Sequence, residues 1–389
     1  MRINPGGRLE IEDIVGRDAE ISRYWAILER QGLVLSAERR VGKTHIAIKM
    51  LEQARPEFVV FYQDLEGVHS VRELLRSIYG TVERALSKSD RWKARLAKWA
   101  TLLPQRIGGI DLTSLDAAWP ALLSTAFDDL VDIAADQTIL LIWDEFPLML
   151  YNISKREGER VAIELLDHLR ALRQRHCNKL RFLLTGSIGL HLVLRTLQRS
   201  GNANDPVNDL YSATVPEMPE QDTLKLAMAL LKEIKADPKE MDAMARSIHR
   251  SVGGFPYYVH HVVDQLQQLQ RVVTHVDVEA AIDALVYDSQ DPANFRYYLS
   301  RISTHYDPID KDVAFAVLDV ISRRNNPIWL EEIINLVRHK THSVADEHVR
   351  AVLNLLVTDH YLQKQKFGDQ MGYGFRWTLV KRWWSESRS

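Results

Sequence analysis

Up to about residue 218, short apolar runs bounded by turn residues alternate with stretches whose apolar positions recur every three to four residues. The first spacing predicts buried strands and the second amphipathic helices. "LVLSA" (33–37), "FVVFYQDLEG" (58–67), "QTILLIWDEFP" (137–147) and "KLRFLLTGS" (179–187) are the predicted strands, and "ATVPEM" (213–218) is a short fifth. "DIVGRDAEISRYWAILERQ" predicts a turn and then a helix capped by Asp18, and helical text follows the first strand to about Arg55. Residues 70–135 are mostly helical by period and are expected to be an insert in the core, broken at 102–114 by Pro104 and Gly108-Gly109. A long helix precedes the fourth strand. Strand, loop, helix, strand is the opening of a parallel α/β sheet.

Beyond Pro219 the short apolar runs disappear. The chain predicts helices only as far as Asp291, broken by "GGFP" at 253–256. Three more helical stretches lie near 310–324, 328–340 and 344–358, before "YLQKQKFGDQMGYGFRWTLVKRWW", which predicts a β-hairpin around Gly368 to Gly374 and a final helix. Three helices with a hairpin are the winged-helix layout, a relative of the helix-turn-helix. The expected division is 1–218, 219–291 and 292–389, consistent with a length too great for one core.

Composition narrows the function classes. Hydrophobic residues make up 46% of the chain, as in a soluble globular protein, and the formal net charge of -2 attracts neither nucleic acid nor an anionic membrane. The single cysteine, Cys177, excludes a disulfide framework or a cysteine metal cluster. The opening "MRINPGGRLE" lacks the apolar core of a secretory signal, and "TILLIW" is too short to cross a bilayer. A cytoplasmic protein without a membrane partner is expected.

The chemistry concentrates where the predicted strands end. "AERRVGKT" matches the phosphate-cradle pattern, Gly, four residues, Gly-Lys-Ser/Thr, except that Ala37 stands in place of the first glycine. Such a loop works because successive backbone N–H groups and the positive end of the next helix face phosphate oxygens. The first glycine eases the exit from the strand, so Ala37 is tolerable at negative φ, whereas Gly42 must accept close backbone approach. The candidate cofactor-binding set is Ala37, Glu38, Arg39, Arg40, Val41, Gly42, Lys43, Thr44 and His45. Lys43 is placed for the β- and γ-phosphates of ATP, and Thr44 for Mg²⁺. In "ILLIWDEF", Asp144 is placed to hold Mg²⁺ through water and Glu145 to orient or activate the attacking water. An Asp-Glu pair at a strand end can also cap a helix, but the Lys-Thr loop about a hundred residues upstream, expected on a neighbouring parallel strand, favours the metal role. Thr185 and Ser187 stand at the same edge, where either can sense the γ-phosphate or position water. The competing interpretation is a polar strand end and a helix capped at Ser187.

The succession "IVGRDAE", "ERRVGKT", "FYQDLEG", "LLIWDEFP", "LLTGSIGL", "GGFPYYV" and "FRWTLVKRWW" resembles the archaeal-type ATPases, in the AAA+/STAND grade of P-loop NTPases. The resemblance spans nearly the whole chain, with the Lys-Thr loop and the Asp-Glu strand its specific parts. It implies a sheet of order 5-1-4-3-2, with the acidic strand and the Thr185 strand flanking the loop, a helical lid and a C-terminal winged helix. It also implies nucleotide contacts from Val15, Gly16 and Arg17 and from the lid turn Gly253, Gly254 and Pro256. The departures are Ala37 and the arginine finger, since neither Arg195 nor Arg199 is marked for that role.

Three functions suit these features. The first is an ATP-binding, slowly hydrolysing switch acting through a protein partner in regulation or host defence, with ADP as product and homo-oligomerisation open. The second is a DNA-handling ATPase resembling replication initiators or transposition regulators, and the third a non-hydrolysing nucleotide-binding scaffold. The tail disfavours DNA: its Lys/Arg excess is small, and "SVADEHVR" places Asp346 and Glu347 at the end of the helix that would enter the major groove. Lys364 and Lys366 in the wing and Lys381-Arg382 keep DNA in play. Trp383 and Trp384 are expected to pack on the helical lid rather than on a base.

Overall fold

The computed structural model describes residues 1–7, 9–86, 112–134, 136–199, 205–341, 344–367 and 370–388. They form two compact units, Asp18–Arg39 with Lys43–Val215, and Met1–Arg17, Arg40–Gly42 with Pro216–Ser389. Of the helical insert expected at about 70–135, residues 87–111, with Pro104, Gly108 and Gly109, lie outside the described residues, as does Gly368.

The first unit is built on five strands, β1 (Leu33–Ser36), β2 (Phe58–Asp64), β3 (Thr138–Asp144), β4 (Leu180–Thr185) and β5 (Tyr211–Thr214). Their order is β2-β3-β4-β1-β5, the expected 5-1-4-3-2 counted from the other edge, and every pairing is parallel. Around the sheet run α1 (Asp18–Leu28), α2 (Lys43–Glu52), α3 (Val71–Leu86), α4 (Leu112–Ile133), α5 (Phe146–Arg156), α6 (Glu159–Arg175) and α7 (Leu190–Arg199). Every residue of β4 and Ile139 to Asp144 of β3 are buried, which is why these strands read as apolar runs rather than alternating ones, interrupted inside β4 by Arg181, whose guanidinium donates to Leu28 O at 2.9 Å. Trp143 centres the core, 5.0 Å from Phe182, 5.8 Å from Phe146 and 6.4 Å from Phe127 between ring centroids.

Three expectations for this unit are corrected. The fifth strand is Tyr211–Thr214, not 213–218. Only Ala213 of it is buried, so its two-residue period is faint, and pairing with Leu33 to Ser36 of β1 supplies the order instead. The acidic strand is not the strand neighbouring β1, because β4 lies between them. Asp18 stands inside α1, and its carboxylate accepts from Lys49 Nζ at 2.7 Å.

The second unit contains α8 (Glu220–Leu231), α9 (Met241–Val252), α10 (Pro256–Gln268) and α11 (His275–Tyr287), helical as predicted apart from one parallel bridge between Ala236 and Val273. Then come α12 (Arg296–His305), α13 (Pro308–Ser322), β6 (Ile328–Trp329), α14 (Leu330–Lys340), α15 (Asp346–Thr358), β7 (Leu362–Phe367), β8 (Gln370–Phe375) and α16 (Thr378–Ser387). β6, β8 and β7 form an antiparallel sheet in that order. Helix α12 is absent from the sequence pattern, since its inward positions include Arg301, whose guanidinium is neutralised by the fully buried Asp359 at 2.7 Å. The helix expected at 328–340 starts at Leu330, because Ile328 and Trp329 pair with β8.

Aromatic contacts join the four-helix part of this unit to its end. Phe255 meets Trp377 at 4.5 Å, Tyr258 meets Phe295 at 5.3 Å, and Phe295 stacks on Trp383 at 5.6 Å. Trp383 and Trp384 are both buried, and Arg382 binds Glu279 at 2.7 Å and also Asp283, on α11. Among the described residues no helix is long and apolar enough to cross a membrane.

Candidate functional site

In the first unit, the carboxyl ends of β1, β3 and β4 bring Ala37 to Arg39, Lys43 and Thr44, the acidic pair and the two hydroxyl residues to one edge. Ala37 is buried and is not among the residues with left-handed φ, so the missing glycine costs the strand exit nothing. Glu38 is buried as well, and its Oε1 accepts from the Arg39 N–H at 3.0 Å. Lys43 opens α2 with its side chain buried, and its Nζ donates to the carbonyls of Ala37 (2.9 Å) and Glu38 (2.8 Å), which satisfies the ammonium away from water. His45 follows, half-buried, in the first turn.

Thr44 and Asp144 meet directly. The Thr44 hydroxyl donates to Asp144 Oδ2 at 2.6 Å, the Tyr62 hydroxyl donates to the same oxygen at 3.2 Å, and the Glu145 N–H donates to Oδ1 at 3.1 Å. A hydroxyl that gives its proton to a carboxylate keeps lone pairs for a cation, so this donor set suits a hard ion such as Mg²⁺. Among the described residues no cluster of three His, Cys, Asp or Glu could hold a metal. An ion here would complete its shell with water and phosphate oxygens, the habit of Mg²⁺ rather than of Zn²⁺.

Glu145 follows on a strained backbone. Its φ of 57° and ψ of 28° are left-handed, sparsely populated for a side chain with a Cβ. The turn aims the carboxylate at the end of β4, where Oε2 accepts from Ser187 N–H at 2.9 Å and from Ser187 Oγ at 2.7 Å. Burial raises its pKa above the usual carboxylate range, and the two Ser187 bonds oppose that rise. Helix α7 begins at Leu190, so Ser187 caps no helix and holds Glu145 instead. Gly186 permits this approach: a Cβ there would lie 2.6 Å from Pro147 Cδ. Thr185, at the end of β4, is 1% exposed, and its hydroxyl has no hydrogen-bond partner among the described residues.

The remaining candidates belong to the second unit. Arg17 is buried with φ +72°, and its guanidinium donates to Pro216 O (2.8 Å) and Val41 O (3.1 Å), bracing the loop segment Arg40–Gly42. Gly42 has φ +105°, and a Cβ on it would meet no atom within 4 Å, so its dihedral and not close packing requires the glycine. Arg40 is itself left-handed; its guanidinium lies 4.5 Å from the centre of the Tyr257 ring and bonds the phenol hydroxyl. Val15 and Gly16 are half-buried before Arg17, Gly253 closes α9, and Pro256 opens α10 after Gly254. Arg195 is half-buried on α7 of the first unit.

No protein-family model matches the sequence, and no curated protein matches it. Solved structures do. A Walker-type ATPase of Pyrococcus abyssi superposes with a TM-score of 0.63 at 16% identity, over 98% of this chain and 99% of that one. The ORC2 protein of Aeropyrum pernix, in its ADPNP–ADP complexes, gives 0.50 at 11% identity, over 96% and 94%. At such identities the likeness is one of fold. The fold is that of P-loop ATPases.

Two residues of the site lie outside the sequence prediction. Tyr62 sits in an apolar β2 run with no signal separating it from core residues. Gly186, between Thr185 and Ser187, carries a signal, since a glycine at a strand end marks a close backbone approach.

Proposed function

We propose that this protein binds ATP with Mg²⁺ and hydrolyses it slowly, as a molecular switch of the AAA+/STAND type. The observation that carries this reading is the Thr44–Asp144 hydrogen bond of 2.6 Å, which joins a Gly-Lys-Thr helix start to a buried strand-end carboxylate. Lys43 would leave the Ala37 and Glu38 carbonyls for phosphate oxygens, Thr44 would offer its oxygen to the metal, and Asp144 would take metal-bound water. Mg²⁺, when bound, would neutralise phosphate charge. Glu145, already oriented by Ser187, is the base for water, and Thr185 is the sensor of the γ-phosphate. The nucleotide contacts implied for Val15, Gly16, Arg17 and Pro256 belong to the same proposal. Titration calorimetry tests it: the parent should bind ATP·Mg²⁺, and Lys43→Ala should abolish or strongly weaken binding. Equal affinity in the variant would end this reading.

For the partner we favour protein, in regulation or defence. Helices α13–α15 with β6–β8 have the winged-helix layout, but Asp346 at the start of α15 is ion-paired to Arg338 and Glu347 is 91% exposed. Acidic side chains there oppose phosphates. DNA is the second reading, favoured by the exposed Lys364 and Lys366 on β7. Fluorescence anisotropy of the full chain with duplex DNA at physiological salt separates the two. Dissociation constants of about 10⁻⁴–10⁻⁶ M, the non-specific range, fit the protein-facing reading, and tight sequence-dependent binding reverses the order.

A further inference from the structure

Among the described residues three donors hold Asp144, and one, Tyr62, comes from outside both the loop and the adjoining backbone. Tyr62 lies on β2, next to β3, and its register partner is Ile142, two residues before Asp144. Residues two apart share a face of a strand, so Tyr62, Ile142 and Asp144 lie on one face, and a tyrosine can span the gap to the carboxylate. Its hydroxyl does so, donating to Oδ2 at 3.2 Å. Oδ2 thereby spends its lone pairs on Thr44 and Tyr62, while Oδ1 accepts one bond, from Glu145 N–H, and keeps a lone pair. A phenylalanine would fill the same space and pack as well, so packing alone does not require the phenol oxygen.

We propose that Tyr62 is a positioning residue for the divalent cation that accompanies ATP: its hydroxyl fixes the rotation of the Asp144 carboxylate, so that Thr44 Oγ1 and the remaining Oδ1 lone pair face one ion. This inference rests on the ATP·Mg²⁺ reading above. Partners that orient a metal-holding carboxylate typically change metal affinity about 10- to 100-fold when removed. Tyr62 acts through Asp144, so its loss should appear in the metal and not in the nucleotide.

The test uses Mn²⁺ as the probe, with free ion counted by electron paramagnetic resonance in the presence of full-length protein and ATP. Tyr62→Phe should weaken Mn²⁺ retention in the ternary complex about tenfold, while calorimetric affinity for ATP in EDTA stays at the parental value. Tyr79→Phe removes another tyrosine hydroxyl, bonded to Leu122 O at 3.1 Å, and should leave both quantities unchanged. Unchanged Mn²⁺ retention in Tyr62→Phe, or an equal loss in Tyr79→Phe, overturns the proposal. If Tyr62→Phe lowers the melting temperature, the Asp144→Asn background decides: Tyr62→Phe should add no further Mn²⁺ loss there, and an additive loss overturns it. A parent that binds no ATP at all would instead remove the nucleotide reading on which the proposal stands.

Discussion

Thr44 Oγ1 and Asp144 Oδ2 are 2.6 Å apart although β1, the strand that precedes Thr44, and β3, which ends in Asp144, are separated by β4. The contact exists because α2 starts at Lys43 beside the carboxyl end of β3. Open parallel sheets place their ligand sites at this edge for the same geometric reason.

Glu145→Gln separates binding from turnover. The amide keeps an oxygen to accept from Ser187 but cannot take a proton from water. Phosphate release should fall by about 10²–10⁴-fold, the usual worth of a general base, with ATP affinity retained. Release at the parental rate would assign the base to another group or favour a non-hydrolysing scaffold.

Gly186→Ala should damage the same pair through sterics. The added methyl would sit 2.6 Å from the rigid ring of Pro147, so the β4–α7 turn must move away from Glu145. Overpacking of this kind costs about 1–3 kcal/mol, readable in urea unfolding, and turnover should drop with it. Parental stability and turnover together would show that the turn has slack.

His261 gives the second unit a pH dependence. It is buried 4.4 Å from the Tyr257 ring, and burial, with Arg40 and His260 nearby, lowers its pKa from 6.5 to about 4. The folded state therefore keeps it neutral while the unfolded chain protonates. This group costs no stability above pH 6.5, costs progressively more as pH falls towards 4, and levels off below. The melting temperature of the parent should drop across that window, and His261→Phe should flatten the drop. Identical slopes would rule His261 out as the source.

Asp359→Ala should be the most destabilising single change of those considered. Arg301 is 3% exposed, and removing the carboxylate at 2.7 Å leaves a buried cation without its counter-charge. The expected loss is about 3–5 kcal/mol by chemical denaturation. A loss under about 1 kcal/mol would mean that water reaches Arg301.

The central strands are legible in the sequence because Ile139 to Trp143 and Leu180 to Leu184 are buried on both faces, and such burial favours apolar text, broken here by Arg181, whose guanidinium is satisfied by the Leu28 carbonyl at 2.9 Å. β5 is hard to place because an edge strand with one buried residue leaves little trace, and α12 is hidden because its inward face includes an arginine whose partner lies far along the chain. In the site, Lys43, Thr44, Asp144 and Glu145 are readable from local order, since strand end, loop and helix start are consecutive in the chain.

What the sequence determined by itself was therefore the alternation of strand and helix and the residue types at each strand end, which depend on neighbours a few positions away. Only the tertiary structure decided which of those ends meet. Whether Ser187 caps a helix or holds Glu145, whether Tyr62 is core or a donor to Asp144, and whether Arg40 faces solvent or the Tyr257 ring all depend on strand order and on turns such as the left-handed one at Glu145. Hydrogen bonds act over about 3 Å, and no local pattern records which distant side chains come within that range.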